Sequence, residues 1–241
     1  MNLKRSYYLL LTLSSVSLSA IVSPTETPTL QLKTLAWDNK SGALLYTEER
    51  KQFDFDGKPG RWEFNYQNPK GQIVVQRSVN FQQDRLKPSF ILRDLRNGYS
   101  EGAETIGNKI KVFSGGSPDD PYQEKTIRVP EPAVIDAGFH FFIEQHWSAL
   151  LNGETKTFYF VAPSQLDYFS FRVYKSGETQ NGGRTAYQLT MDIDNFLLRL
   201  FVDPIRLTYD PESRKLIGYE GISNIYNDEG KAHHVRMEFV Y

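Results

Sequence analysis

Residues 61–81 read RWEFNYQNPKGQIVVQRSVNF, and this stretch decides the fold class. Three aromatic residues alternate with polar ones, a spacing of two that places them on one face of a strand: Trp62, Phe64 and Tyr66. Asn68-Pro69-Lys70-Gly71 is a turn sequence. After it the same period returns in Ile73, Val75, Val79 and Phe81. The stretch predicts a β-hairpin.

The two-residue rhythm continues on both sides of this hairpin. Further alternating segments occupy 90–95, 169–173, 187–193, 205–209 and 233–241, and turn residues separate the C-terminal ones. Short alternating strands divided by turns indicate an antiparallel meander with one face buried. We therefore predict a mainly β fold.

One segment breaks the rhythm: residues 136–154, DAGFHFFIEQHWSALLNGE. Its apolar residues fall at helical spacings, Asp136 can cap the helix, and Asn152-Gly153 can stop it. Burying its four largest apolar side chains would contribute on the order of 6 to 12 kcal/mol. Such a helix must pack against a sheet. We predict an antiparallel half-barrel or open barrel packed on one principal helix at about 136–151.

The first 22 residues have the features of a cleaved signal peptide. Lys4 and Arg5 are basic, residues 7–16 are mostly apolar, and Ser17, Ser19 and Ala20 then supply small residues for cleavage. Cleavage is expected near Ser19 to Ser23. The Pro- and Thr-rich start of the next segment predicts a flexible lead-in at 23–35, followed by a single β-rich domain at 36–241. The expected location is the periplasm of a Gram-negative bacterium.

Composition excludes several classes of protein. The chain has 28 basic and 29 acidic side chains, and loss of Lys4 and Arg5 leaves 26, which is 28 minus 2, so the mature net charge is about -3. Interspersed charges of this kind are not those of a nucleic-acid binder. No run of apolar residues in the mature part reaches about 18 residues, the length that a membrane-spanning helix needs, so no membrane span is expected there. With no cysteine, the domain must be held by its core.

Candidate metal ligands do not converge on a helix. His140 and Glu144 are neighbours at a spacing of four, but His146 lies about 160 degrees round the helix from Glu144. His146 is better explained as a hydrogen-bonded core imidazole, and His233 as an inward-facing strand residue. We expect no metal, no cofactor and no catalytic residue. One alternative remains, a metal-dependent envelope hydrolase using His146, His233 and a carboxylate.

Aromatic residues are the remaining functional lead, at 14% of the chain. A curved sheet over a helix can enclose an apolar pocket. We therefore expect a non-enzymatic envelope protein that binds a lipid, another amphiphile or an envelope protein partner. Five candidate ligand-binding residues are selected by the size of the side chain and by the face, given by the parity of the position, on which it is expected to lie: Phe142, Trp147, Phe160, Phe171 and Tyr187. A structural or protein-interaction module with a fully packed core is the first alternative.

Two segments carry a resemblance to a known group of proteins. Residues 136–154 and 217–225 (IGYEGISNI), with Pro88-Ser89-Phe90, Asp94 and Asn97-Gly98 as a weaker element, resemble a family of uncharacterised exported bacterial proteins. In architecture the expected sheet and internal helix are similar to the periplasmic lipoprotein carriers and their half-barrel relatives. That similarity implies a lipid-like or lipoprotein ligand by analogy.

Overall fold

The computed structural model describes residues 26–197, 199 and 202–241, so the predicted signal peptide at 1–22 lies outside the described residues. The N-terminal strands are β1 Leu30–Asp38, β2 Leu44–Phe55, β3 Lys58–Gln67, β4 Ile73–Asn80, β5 Ser89–Asp94, β6 Ser100–Ile106, β7 Lys109–Gly115 and β8 Gln123–Ile127. Next come β9 Ala133–Ile135, α1 Gly138–Gln145 and α2 Trp147–Leu151. The C-terminal strands are β10 Lys156–Ala162, β11 Asp167–Asn181, β12 Arg184–Ile193, β13 Ile205–Tyr209, β14 Leu216–Tyr226 and β15 Ala232–Glu238.

All these strands join one open sheet in the order β8-β7-β6-β5-β4-β3-β2-β1-β15-β14-β13-β12-β11-β10-β9. Two meanders, β1 to β8 and β10 to β15, meet where β1 pairs antiparallel with β15. Adjacent strands are antiparallel except β9 and β10, which run parallel. The predicted mainly β class and the predicted half-barrel or open barrel are confirmed, since the described strands form one open sheet that does not close into a barrel.

The hairpin at 61–81 forms as its sequence predicts. Trp62 pairs with Val79, Phe64 with Arg77 and Tyr66 with Val75 across β3 and β4. Gly71 takes a left-handed backbone angle of φ +80° that closes the turn. All three aromatic side chains are buried, so the alternating face points into the core.

The N-terminal boundary of the domain differs from the prediction. β1 begins at Leu30, inside the segment predicted as a flexible lead-in at 23–35, and pairs with both β2 and β15. Leu32, Thr34 and Ala36 are buried on its inner face. Every second residue from Leu30 onward faces the core, as in a strand with one buried face. The β-rich domain therefore starts before the predicted boundary at residue 36.

The predicted helix at 136–151 is present but divided. α1 and α2 are separated at His146, whose backbone angles of φ -104° and ψ 14° are not helical. Asp136 does not cap α1, because its own φ of +43° turns it away and Ala137 takes the N-cap position without a side-chain hydrogen bond. Asn152 does end α2, and Gly153 follows it at φ +87°. The crossover between parallel strands β9 and β10 uses this helical segment.

The sheet wraps around α1. Phe141 of α1 has its ring centre 5.9 Å from that of Trp62 on β3, and the next residue, Phe142, is 4.8 Å from Phe158 on β10. In the sheet β3 and β10 are eight strand spacings apart, about 38 Å if the sheet were flat. Contacts of both strands with consecutive helical residues require strong curvature. α1 therefore lies on the concave face.

Two apolar clusters fill the space around this helix. Phe141 belongs to the cluster formed mostly by β1 to β9, while Phe142 and Ile143 belong to the cluster formed by β9 to β13 and the helices. Partly buried Leu86 and Tyr219 contact both clusters. Among the described residues no helix is long and apolar enough to cross a bilayer.

Candidate functional site

The five aromatic residues predicted to bind a ligand lie in the second apolar cluster. Phe142 is 1% exposed and Trp147 5%, whereas Phe160, Phe171 and Tyr187 are partly buried. Phe158 lies between Phe142 and Phe171, and its ring centre is 4.8 Å from that of Phe142 and 6.1 Å from that of Phe171. Phe160 is 5.7 Å from Phe171, and Trp147 is 6.2 Å from Tyr187. The structure therefore brings the five residues onto one side of the helical segment.

These rings contact one another rather than surround an open space. Two surface clefts, of about 180 and 220 Å³, lie elsewhere. The first is on the outer face near Arg206 and His234, and the second is at the β6–β7 turn near Lys87 and Lys109. Neither is lined by the five aromatic residues. Access of a ligand to this cluster therefore requires side chains or helices to move.

A row of inward-facing polar residues on the other side of α1 was missed by the sequence analysis. Arg77 pairs with Phe64 on β3 and with Leu92 on β5, and Leu92 pairs with Glu101 on β6. The alternating pattern gave a signal, because Arg77 holds the one polar position between Val75 and Val79 on the inner face. A charged residue on a buried face needs a partner.

Asp136 is the partner of Arg77. Arg77 Nη1 donates to Asp136 Oδ1 at 2.9 Å, and the guanidinium carbon lies 3.9 Å from the centre of the Phe64 ring. Burial by itself lowers the pKa of Arg77, but Asp136 and neighbouring acidic groups raise it above its ordinary value. Asp136 Oδ2 and Arg77 Nε are buried without a partner. The pair is thus a one-armed buried ion pair that fixes the start of the helical segment.

Glu101 extends this polar row towards the turn end of the sheet. Its side chain is 5% exposed, and burial raises its pKa to about 7, with the Asp136 charge adding to the rise. Tyr99 donates to Glu101 Oε2 at 2.9 Å and lies 3.0 Å from Ser114 Oγ. Glu101 therefore exchanges a proton near neutral pH inside the concave face.

Arg96 links two turns at the same end. Its guanidinium donates to Asp94 Oδ2 at 2.6 Å and to the Tyr226 carbonyl at 2.7 Å. It also donates to Asp228 Oδ1 at 2.9 Å. Arg96 belongs to the β5–β6 turn and Asp228 to the β14–β15 turn. Their contact therefore joins two turns that are far apart in the strand order of the sheet. This end of the curved sheet is held together by charge-assisted hydrogen bonds.

The histidines occupy separate places. His146 Nδ1 donates to the Phe142 carbonyl at 2.9 Å, and the His233 ring lies 6.3 Å from Tyr46 on the concave face. His140 contacts Glu144 at 3.4 Å and also stacks on Tyr209. Within residues 26–197, 199 and 202–241, no three His, Cys, Asp or Glu residues gather to hold a metal ion. His146 and His233, the two histidines of the metal-dependent alternative, have different ring partners, Phe142 for His146 and Tyr46 for His233.

A solved structure shares this fold. It is described as a β-barrel-like protein of domain of unknown function DUF1849 from Brucella abortus. The similarity covers 89% of this chain and 98% of that one, at 11% identity and a TM-score of 0.50. No family model and no curated protein matches the chain. The comparison establishes a β-barrel-like fold similar to that of an uncharacterised bacterial protein.

Proposed function

We propose that this protein is a non-enzymatic component of the bacterial cell envelope that binds an apolar ligand, a lipid or acyl chain, on its concave face. The observation that carries the proposal is the position of α1 and α2 inside the curved sheet, next to partly buried aromatic residues. Phe160, Phe171 and Tyr187 lie on the strands that face this helical segment. Aromatic and aliphatic side chains that line the space next to the helical segment are of the kind that bind a ligand with a long apolar part.

The helical segment has the features of an element that can move. Both of its helices lack a side-chain cap at the N-terminus, and the chain departs from helical geometry at His146 between them. α2 has only 5 residues. Short, uncapped helices owe their stability to packing rather than to their own hydrogen bonds. Displacing the helical segment from Phe158 and Tyr187 would open apolar surface without breaking the sheet.

The proposed location follows from the N-terminal sequence. Residues 1–22 have the organisation of an export signal, and the β-barrel-like neighbour is bacterial. We expect the protein in the osmotic-shock fraction of a Gram-negative host. N-terminal sequencing of the recovered protein should place the new terminus near Ser19 to Ser23. Recovery of an uncleaved chain in the cytosolic fraction would contradict the proposed location.

Lipid extraction and native mass spectrometry of the purified protein test the proposed ligand. We expect a co-purifying amphiphile in the wild type and its loss in Phe160→Glu, which places a charge among the aromatic rings. Phe55→Glu is the matched control, because Phe55 is 63% exposed and lies at the β2–β3 turn. Absence of any amphiphile in the wild type, together with failure to bind added oleate, would refute the proposed ligand.

A second function is favoured by one observation. Phe142 and Leu150 are almost completely buried and the ring contacts around Phe158 are close, as in a solid core. A fully packed domain would serve as a structural or protein-interaction module. In that case no small ligand is expected, and cross-linking in intact cells should recover an envelope protein partner.

A further inference from the structure

Arg50 is a buried arginine enclosed by aromatic rings. It lies on β2, is 8% exposed, and its guanidinium carbon is 5.2 Å from the centre of the Trp62 ring. Phe239 at 5.9 Å and Tyr241 at 5.8 Å form the other walls. Trp62 in turn contacts Phe141 of α1, so this site lies on the concave face beside the helix. Cation–π contacts hold the guanidinium in place without neutralising its charge.

Arg50 has no acidic partner among the described residues. Its hydrogen bond is to Tyr241 Oη at 3.4 Å, and its Nε is buried without an acceptor. The other arginines that approach the interior differ, since Arg77 binds Asp136 and Arg96 binds Asp94. On β2, Glu48 is buried two residues away on the same face and forms no ion pair with Arg50, and the adjacent Glu49 pairs with Lys33 instead. An unpaired buried cation is costly unless something else supplies the negative charge.

A second unused donor lies beside it. Trp62 is 7% exposed, and its Nε1 is buried without an acceptor. An indole nitrogen can only donate, and a guanidinium has five N–H groups in a planar fork that fits carboxylate or phosphate oxygens. Two side chains whose groups lie 5.2 Å apart therefore each carry a buried donor without an acceptor. Buried unsatisfied groups of this kind indicate a missing acceptor.

Further positive charge surrounds the same aromatic residues. Lys215 Nζ lies 4.5 Å from the Tyr241 ring centre, and the guanidinium carbon of Arg85 lies 4.5 Å from that of Phe141. Tyr241 is 42% exposed, so the site communicates with solvent past this ring. Apolar Phe81 and Phe141 continue from Trp62 towards the helix, with ring centres 4.7 and 5.9 Å from it. The site thus joins a cationic, solvent-reachable end to an apolar interior.

We propose that Arg50 and Trp62 bind the anionic head group, a carboxylate or phosphate, of an amphiphile whose apolar part lies against Phe81, Phe141 and the helical segment. This assignment rests on the proposed function and adds the chemical class of its ligand. It places the head group at the first apolar cluster, while Phe160, Phe171 and Tyr187 pack against the second, and α1 contributes to both. Arg50 would supply the charge and a bidentate hydrogen bond, and Trp62 would supply the neutral donor. Displacing the weak 3.4 Å contact to Tyr241 would free the guanidinium for this role.

Isothermal titration with two probes of equal chain length tests the head-group assignment. Oleate carries a carboxylate, and 1-oleoylglycerol carries a neutral head group. We expect the wild type to bind oleate at least 10-fold more tightly, and Arg50→Met to bind both probes equally. Arg93→Met is the matched control, because Arg93 lies exposed on the outer face of β5, and it should keep the wild-type preference.

Trp62→Phe keeps an aromatic ring, although a smaller one, and removes the N–H donor, so it tests the assignment even if Arg50→Met does not fold. It should weaken oleate binding about 3- to 10-fold and leave 1-oleoylglycerol unchanged. Equal binding of the two probes by the wild type would overturn the head-group assignment alone. Binding of neither probe would overturn the proposed function as well. If the wild type binds inorganic phosphate, loses that binding in Arg50→Met, and binds neither oleoyl probe, the site binds a free anion. That result would overturn the proposal that the ligand is an amphiphile.

Discussion

The buried pair of Arg77 and Asp136 provides a quantitative test of how the helical segment is held. Asp136→Asn removes the negative charge but keeps the shape of the side chain. Asn also tolerates the left-handed angle of φ +43° that Asp136 adopts, so the backbone has no new reason to move. The substitution therefore reports on the charge interaction across β4 and the start of α1.

The expected cost follows from the geometry of the pair. The Arg77 and Asp136 side chains are only 12% and 10% exposed, so loss of one partner leaves the other charge desolvated. Breaking a buried pair in this way costs about 3 to 5 kcal/mol. One hydrogen bond at 2.9 Å joins them and Asp136 Oδ2 has no partner, which favours the lower end, about 3 kcal/mol. For a domain of this size that lowers Tm by roughly 6 to 12 °C.

Equilibrium unfolding in urea measures this cost. Glu178→Gln is the control, since its partner Lys175 belongs to a more exposed pair whose loss should cost below about 1 kcal/mol. The double variant Arg77→Met with Asp136→Asn should recover part of the stability, because no unpaired charge remains. If Asp136→Asn costs no more than Glu178→Gln at an unchanged m-value, the pair does not anchor the helical segment.

Two further predictions concern the pH dependence of stability and the start of α1. The pKa of Glu101 is raised from 4.5 to about 7 in the folded protein, so the folded state holds a proton that the unfolded chain has lost. Its stabilising contribution is present below about pH 4.5 and declines by roughly 3 kcal/mol as the pH rises to 7. Glu101→Gln should flatten that decline in urea unfolding between pH 5 and 8, and parallel curves for the two proteins would contradict the assignment. Gly138→Ala should destabilise by about 2 kcal/mol or more, because its Cβ would lie 2.1 Å from the Leu86 carbonyl oxygen. Gly177→Ala, with 3.6 Å to the nearest atom, should stay within about 0.5 kcal/mol of wild type, and equal losses in thermal unfolding would argue against the close packing at Gly138.

Some of the candidate site could be predicted and some could not. The five aromatic residues were selected by size and parity, and the structure gathers them on one side of the helical segment. Parity alone could not show that Phe158 fills the space between Phe142 and Phe171. The sequence analysis missed Arg50 and Arg77, although Arg77 shares the alternating face of Val75 and Val79. Their different surroundings, one with Asp136 and one among aromatic rings, depend on residues distant in sequence.

Local pattern by itself determined the β class, the hairpin at 61–81 and the helical character of 136–151. These features follow from side-chain periodicities of two and 3.6, which the backbone imposes over a few residues. The tertiary structure decided that β1 pairs with β15, that the helix divides at His146, and that Asp136 binds Arg77 instead of capping α1. The physical reason is that the buried charge of Arg77 is stable only beside an opposite charge. That opposite charge, Asp136, lies 59 residues away in the sequence, so no local pattern could identify it.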